Sequence, residues 1–227
     1  MVIGNGLLAN AFSQYFASTS DLKIFASGVS NSRETRKSEF LREEEMLKAT
    51  LNCEGRLFYF STCSIYDPSL KNSPYVAHKL AMEAIVLQAK DNMVFRLPQA
   101  VGNTSNKSTL SNYLYEKLIK DEEFDVWIHS SRNLIDVADI FKIAKTIIER
   151  KEETGSVVNI AAPVSHPIID IVNTFEQVLS LKARYNTIEA GSDYLINTQI
   201  SNKMAQLSGL EFGSDYLERV IKKYYAK

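Results

Sequence analysis

Residues 56–79 read RLFYFSTCSIYDPSLKNSPYVAHK, and this stretch decides how the fold is read. Leu57 to Phe60 form an apolar, aromatic run that suits a buried strand. Hydroxyls appear where the run ends, at Ser61, Thr62 and Ser64. Turn signals follow at Asp67-Pro68 and Asn72-Ser73-Pro74. Tyr75 and Lys79 then open a helix. Four residues apart, they stand on one face, one turn from each other. A strand-end hydroxyl, a tyrosine and a lysine can together make an acid/base site.

Upstream, Met1 to Ile3 read as the end of a short strand. Gly4-Asn5-Gly6-Leu7-Leu8-Ala9 then opens a helical pattern through Phe16. In a G-x-G-x-x-A turn the second glycine lets the backbone approach a pyrophosphate at the helix N-terminus. The alanine lets the helix pack closely on the sheet. Alone, the motif is equally a plain tight turn. Leu22 to Ala26 suit a second strand, which ends in Ser27-Gly28-Val29-Ser30-Asn31-Ser32. No Asp or Glu stands there to hold an adenosine ribose. Arg33, Arg36 and Lys37 come soon after, either to meet a 2′-phosphate or as a solvated helix start. Glu39 to Leu51 form a charged amphipathic helix with Phe40, Leu47 and Leu51 at apolar positions.

Downstream, the helix at Tyr75 continues to Lys90, and Asn92 to Leu97 form a strand stopped by Pro98. Helices are expected over 109–120, 134–148, 168–181, 201–208 and 214–225. Strands are expected over 124–128, 157–161 and 185–188. Alternation of this kind argues an α/β fold with a mostly parallel sheet covered on both faces. The composition is that of a globular protein, 45% hydrophobic and 23% charged, with a formal net charge of −1 across 227 residues. That balance leaves no footprint for nucleic acid, and no apolar run is long enough to span a bilayer. The N-terminus lacks a basic stretch before an apolar one and does not read as a signal peptide. Cys53 and Cys63 make no metal or disulfide pattern, which points to a reducing cytoplasm. The three histidines are not spaced for zinc.

Taken in order, G-x-G-x-x-A, FYFSTCSIY, SPYVAHKLAMEAIV, VFRLPQAVG, NLIDVADI and VVNIAAP resemble an extended short-chain dehydrogenase/reductase. Within that group the chain is similar to the NAD-dependent nucleotide-sugar epimerases, dehydratases and reductases of bacterial polysaccharide pathways. The resemblance implies a Rossmann-like core over residues 1–160 with a substrate-lobe insertion near 103–133. A C-terminal substrate-binding part over 161–227 would complete one compact unit. It implies that Thr62 hydrogen-bonds the substrate oxygen, that Tyr75 is the acid/base, and that Lys79 holds the nicotinamide ribose and lowers the tyrosine pKa. Free tyrosine ionises near ~10, too high for a base at neutral pH, so a nearby cation is needed. Gly4, Gly6, Leu7, Ala9, Ala26, Ser27 and Pro98 would join Lys79 around an NAD or NADP cofactor. Asn103 and Arg132 lie in the region that would bind the nucleotide-sugar, together with His129 and Lys107. Arg132 would hold a diphosphate or stand as a surface arginine. Cys63 and Ser64 occupy substrate-facing positions where dehydratases of this group carry an Asp-Glu pair, which argues against 4,6-dehydration. Cys63 reads equally as a small packing residue. Asp136 and Asp139 suit a helix N-terminus.

One departure is large. Only residues 10–21 separate Ala9 from the strand at Leu22, where the family places two further strands and their helices. KIFASGVSNS resembles the family's fourth strand better than its second. On that reading the second and third strands, one wall of the adenosine pocket, are missing. Helix 7–16 must then cover the opposite face or make a left-handed crossover, against the ~98% right-handed norm; alternatively, Leu22 to Ala26 take the second-strand position. An exposed edge at the first strand would need cover, which a homodimer could give. The loop between Thr62 and Tyr75 is also shorter than the family norm. The expected function is an NAD(P)-dependent reductase or epimerase acting on a nucleotide-activated sugar. The alternative is a binding or accessory protein that no longer holds a full dinucleotide.

Overall fold

A computed structural model describes residues 1–150 and 156–226. The chain runs β1 (Val2–Ile3), α1 (Leu7–Phe16), β2 (Leu22–Phe25), α2 (Lys37–Leu51), β3 (Arg56–Thr62), α3 (Pro74–Val86), β4 (Met93–Leu97) and β5 (Gln99–Val101). It continues α4 (Leu110–Ile119), β6 (Phe124–Trp127), β7 (Ser131–Arg132), β8 (Leu134–Asp136), α5 (Val137–Arg150) and β9 (Val157–Asn159). The last elements are β10 (His166–Pro167), α6 (Ile168–Leu179), β11 (Tyr185–Ile188), α7 (Gln199–Leu207) and α8 (Tyr216–Tyr225). The alternation expected from the sequence is present. The helix at Tyr75 ends at Val86 rather than Lys90, and residues 134–136 pair as a strand before α5 begins. Three short strands, β5, β7 and β10, carry no periodicity that a sequence reading could catch. Pro98 lacks an amide proton, so the ladder of β4 stops there. The chain then changes partner, and β5 pairs with β8.

The central sheet is five-stranded, in the order β1-β2-β3-β4-β9, and all its pairs are parallel. β2 lies between β1 and β3, the place expected of the family's fourth strand. The sheet is Rossmann-like but reduced in strand number, and among the described residues it ends at β1.

The side chains of β3 alternate between two cores. Phe58 and Phe60 face α1, α5 and α7, with Phe12, Phe16, Ile143 and Met204. Leu57 and Tyr59 face α2 and α3, with Leu47, Met82 and Val86. From β1 to β4 the chain steps across the sheet in one direction throughout, yet α1 covers one face while α2 and α3 cover the other. The first crossover therefore has the opposite hand to the next two. With those two right-handed, as parallel crossovers almost always are, β1–α1–β2 is left-handed. Of the two alternatives open to helix 7–16, the structure takes the left-handed crossover; a right-handed one would have put α1 on the same face as α2 and α3.

A further core joins α4, α6 and α8 around Leu114, Phe175 and Ile221. It is tied to the start of α5 by polar contacts. Tyr216 donates its hydroxyl to Asp139 Oδ2 at 2.9 Å and accepts from the Asp136 amide at 3.0 Å. Lys223 and Tyr224 both donate to Asp136, at 2.7 and 2.6 Å. Asp136 also accepts from the Ala138 amide in the first turn of α5. No helix among the described residues is long and apolar enough to cross a membrane.

The two glycines of the first turn have different reasons to be glycine. Gly4 adopts φ +123°, and a Cβ there would stand 2.5 Å from the Ala26 carbonyl oxygen. The close approach of β2 excludes a side chain. A Cβ at Gly6 would meet nothing within 4 Å. Gly4→Ala should therefore destabilise the fold by about 1–3 kcal/mol, and Gly6→Ala should leave stability nearly unchanged. Chemical denaturation of both variants checks this; equal losses would overturn the distinction.

Candidate active site

The strand ends of the central sheet open onto a cleft of about 670 Å³. One end is floored by Thr62, Tyr75 and Lys79, and Gly6, Leu7, Ala26 and Ser27 form the wall next to α1. Ser64 and Pro98 also face it. Of the residues named from the sequence, these come together. Gly4 and Ala9 do not reach the cleft; Ala9 is fully buried on the inner side of α1. Cys63, Asn103 and Arg132 lie outside its lining. Cys63 is buried against the Arg96 carbonyl, and burial pushes its thiol far above the usual range, as suits packing.

Local sequence sets up the end of the cleft at Thr62, Tyr75 and Lys79. Thr62 ends β3 and caps the turn after it, its hydroxyl accepting from the Ser64 amide at 3.0 Å. Ser73 caps α3 by accepting from the Val76 amide, and Pro74 occupies the first turn, where a missing amide proton costs nothing. Tyr75 and Lys79 thereby start on the face of α3 that meets the strand ends. Tyr75 is only 5% exposed. Burial pushes its phenol up to about 12, a hydrogen bond with Thr62 works against this, and the Glu43 carboxylate adds to the rise. At neutral pH this environment favours the protonated phenol.

Glu43 was not foreseen. It is fully buried and lies under the cleft floor. Its Oε1 accepts from Lys79 Nζ at 2.9 Å and from the Tyr59 hydroxyl at 2.6 Å. Its Oε2 accepts from the Val29 amide at 2.6 Å and lies 3.0 Å from His78 Nε2. Burial pushes this carboxyl up, but His78, Lys79, Tyr59 and Val29 together outweigh it and hold it well below the usual carboxylate range. Lys79 also donates to the Tyr59 hydroxyl at 3.1 Å. The sequence did carry a signal. Phe40, Glu43, Leu47 and Thr50 follow helical spacing, so an acid sits on the apolar stripe of α2.

The far end of the cleft was also missed. It is lined by hydroxyls at Ser30, Ser32 and Thr104, by Asn106, and by Arg42. Asn106 Nδ2 donates to Ser30 Oγ at 3.3 Å across the opening. Arg42 reaches the Ser27 carbonyl and pairs with Glu39 at 3.3 Å. Arg36 pairs with Glu34 instead. Arg132 lies 3.4 Å from the buried Asp67 and over the Tyr194 ring. His129 pairs with Glu189 and Lys107 with Glu116.

A parallel sheet whose strand ends bring a threonine, a tyrosine and a lysine to one cleft defines a protein of the short-chain dehydrogenase/reductase type. Residues 24–161 match the family model of the NAD-dependent epimerase/dehydratase family, and the chain belongs to that family. The match begins in β2, so the glycine turn lies outside it. No curated protein matches the sequence. Solved structures do. UDP-glucuronic acid 4-epimerase from Bacillus cereus, in complex with UDP-glucuronic acid and NAD, superposes with a TM-score of 0.73 at 16% identity. That match covers 97% of this chain and 79% of the other. UDP-glucose 4-epimerase from Bifidobacterium longum, with NAD+ and UDP, gives 0.69 at 14%, covering 98% and 82%. RMD from Pseudomonas aeruginosa, complexed with NADPH, gives 0.66 at 16%, covering 97% and 86%. At these identities the likeness is one of fold.

Tyr75 should stay protonated through neutral pH and ionise near 12. The check is the phenolate absorbance of the wild type minus that of Tyr75→Phe, followed against pH. A lost component titrating near the free value of ~10 would contradict the buried environment.

Proposed function

We propose that the chain is an NAD(P)-dependent reductase or epimerase acting on a nucleotide-activated sugar, in the cytoplasm, as a step of polysaccharide biosynthesis. The observation that carries this reading is the convergence of Thr62, Tyr75 and Lys79 on the same cleft as the open backbone at Gly6. A nicotinamide dinucleotide fits this donor set. The first amides of α1 have no side-chain cap, since Gly6 makes no such hydrogen bond, and suit a pyrophosphate. Lys79 suits a ribose hydroxyl. When bound, such a cofactor would supply the hydride acceptor or donor.

The protein's own residues manage the proton. Thr62 holds the sugar oxygen beside Tyr75. As a reductase, Tyr75 gives its proton to a ketosugar oxygen; its raised pKa keeps that proton in place at neutral pH but makes the phenol a weaker acid. As an epimerase it must first take a proton from a hydroxyl, which needs the phenolate. That direction depends on added positive charge in the cleft to bring the phenol down from about 12. The absence of an acid pair at Cys63 and Ser64 supports reduction or epimerisation over dehydration.

A second reading has its own observation. The sheet ends at β1, on the side where the family's adenosine wall would stand. On this reading the chain is a nucleotide-sugar-binding or accessory protein with an incomplete dinucleotide site.

Calorimetric titration with NAD(H) and NADP(H) separates the two. The first reading expects binding, weakened by Gly6→Ala without loss of stability. It also expects Tyr75→Phe to bind cofactor normally while losing about 10²–10⁴-fold in turnover, the usual worth of an acid/base group. No binding of either dinucleotide at millimolar concentration would eliminate the enzyme and leave the accessory reading.

A further inference from the structure

Lys79 is 2% exposed, and its ammonium lies under the loop that follows β2, where a Cβ at Gly28 would come within 2.5 Å of Nζ. A lone ammonium at such a depth favours its neutral form. What opposes this is Glu43, fully buried, which contacts Nζ directly and has no outlet to solvent. The same carboxylate holds the loop through the Val29 amide, β3 through Tyr59, and α3 through His78. The side chain of His78 stacks on Phe40, one turn before Glu43 in α2. Every element that bounds the lysine is thus fastened to one carboxylate.

We propose that Glu43 is a positioning residue of this site: it fixes the Lys79 ammonium at the cleft floor and keeps it charged. The inference builds on the role assigned to Lys79 above. It gives Glu43 two effects on Tyr75. By securing the cation, it preserves the positive charge that a phenolate needs nearby. By adding a negative charge, it cancels much of that field, so the pair alone leaves the phenol protonated. Ionisation of Tyr75 is then reserved for the loaded cleft.

The other charged or titratable groups around Lys79 do not replace Glu43. From α2, Arg42 is a like charge and disfavours the ammonium. From α3, Glu83 is already engaged by Arg96 at 2.6 Å and by the Ser61 hydroxyl, and Tyr75 and His78 flank the lysine as neutral or donor groups. From β3, Tyr59 gives its proton to Glu43 itself. In the loop after β2, Gly28 is the residue against Nζ, and the loop's one acid, Glu34, is engaged by Arg36 at 2.7 Å.

The test reads Lys79 directly, without any cofactor or substrate. Nitrogen-edited NMR follows the lysine Nζ resonances against pH, with Lys79 assigned by its loss in Lys79→Met. Glu43→Gln keeps the side-chain shape and removes the charge. The Lys79 midpoint should fall by about 2 units or more, the scale seen for buried lysines without a counter-ion. An unchanged midpoint would overturn the proposal. If Glu43→Gln does not fold, the double variant Glu43→Gln/Lys79→Met removes both charges. Recovery of the folded state then supports the pairing, and failure of the double variant overturns it. Because the titration uses cofactor-free protein, a dinucleotide that does not bind counts against the enzyme reading and leaves this result intact.

Discussion

The end of the cleft where Thr62, Tyr75 and Lys79 meet depends on one buried ion pair. Glu43 and Lys79 lie 2.9 Å apart with almost no exposure, and removing two charges from water costs several kcal/mol per ion. Such a pair persists only if its remaining hydrogen-bonding capacity is met. Here each carboxylate oxygen has two partners, and they come from the backbone of one loop, from a strand and from a helix. The geometry is therefore over-determined: α2 cannot slide along α3 without opening a buried charge. An interaction of weak net stabilising value can still specify one arrangement, and the arrangement it specifies is the lysine one turn from Tyr75.

That fixed floor sits in a sheet that is unusual elsewhere. In a doubly wound sheet the chain leaves the first strand in both directions, and the crevice at the reversal receives the ligand. Here the order β1-β2-β3-β4-β9 has no reversal. The crevice survives for another reason. Helix α1 still starts at the carboxyl end of β1 and lies on the face opposite α2 and α3, so the strand ends remain splayed between two layers of helices. The cost is a crossover of the disfavoured hand. It is offset by the packing of Phe12 and Phe16 against Phe60 and Phe141, and by Gly4, which lets β2 approach β1 closely. Met1 N ties the start of β1 to β2 further, donating to the Thr19 and Leu22 carbonyls at 2.7 Å.

The sequence made part of this legible. Alternating periodicity gave the layers, and the spacing of Thr62, Tyr75 and Lys79 named three residues that do share a cleft. The short interval between Ala9 and Leu22 pointed to missing strands and to a strained first crossover. What it could not give were relations set by tertiary packing. Glu43 looked like one acid among several in a charged helix, and only its place between Phe40 and Leu47 hinted at burial. Arg132 had a plausible ligand role by position, but its guanidinium faces Asp67, which lies far away in sequence. Asn103 lies outside the cleft lining, and the turn beyond it brings Thr104 and Asn106 there. β7 and β10 are two residues each, too short for any pattern to register.

Asp67 links the two ends of this account. It lies in the loop between Thr62 and Tyr75 and is nearly fully buried. It accepts from the Ser69 amide and hydroxyl and from the Ser192 hydroxyl, and it faces Arg132. Arg132 lies in β7 and Ser192 in the segment after β11, whereas Thr62 ends β3 and Tyr75 starts α3. The loop that separates the hydroxyl from the phenol is thus held from outside the sheet by a carboxylate whose Oδ1 accepts three hydrogen bonds and whose Oδ2 faces Arg132. A shorter loop than the family norm has less slack, so its course must be set by such anchors. Glu43 fixes the lysine from beneath, and Asp67 fixes the span between threonine and tyrosine from the side. Two buried acids, neither of them in the cleft lining, hold Thr62, Tyr75 and Lys79 in one geometry.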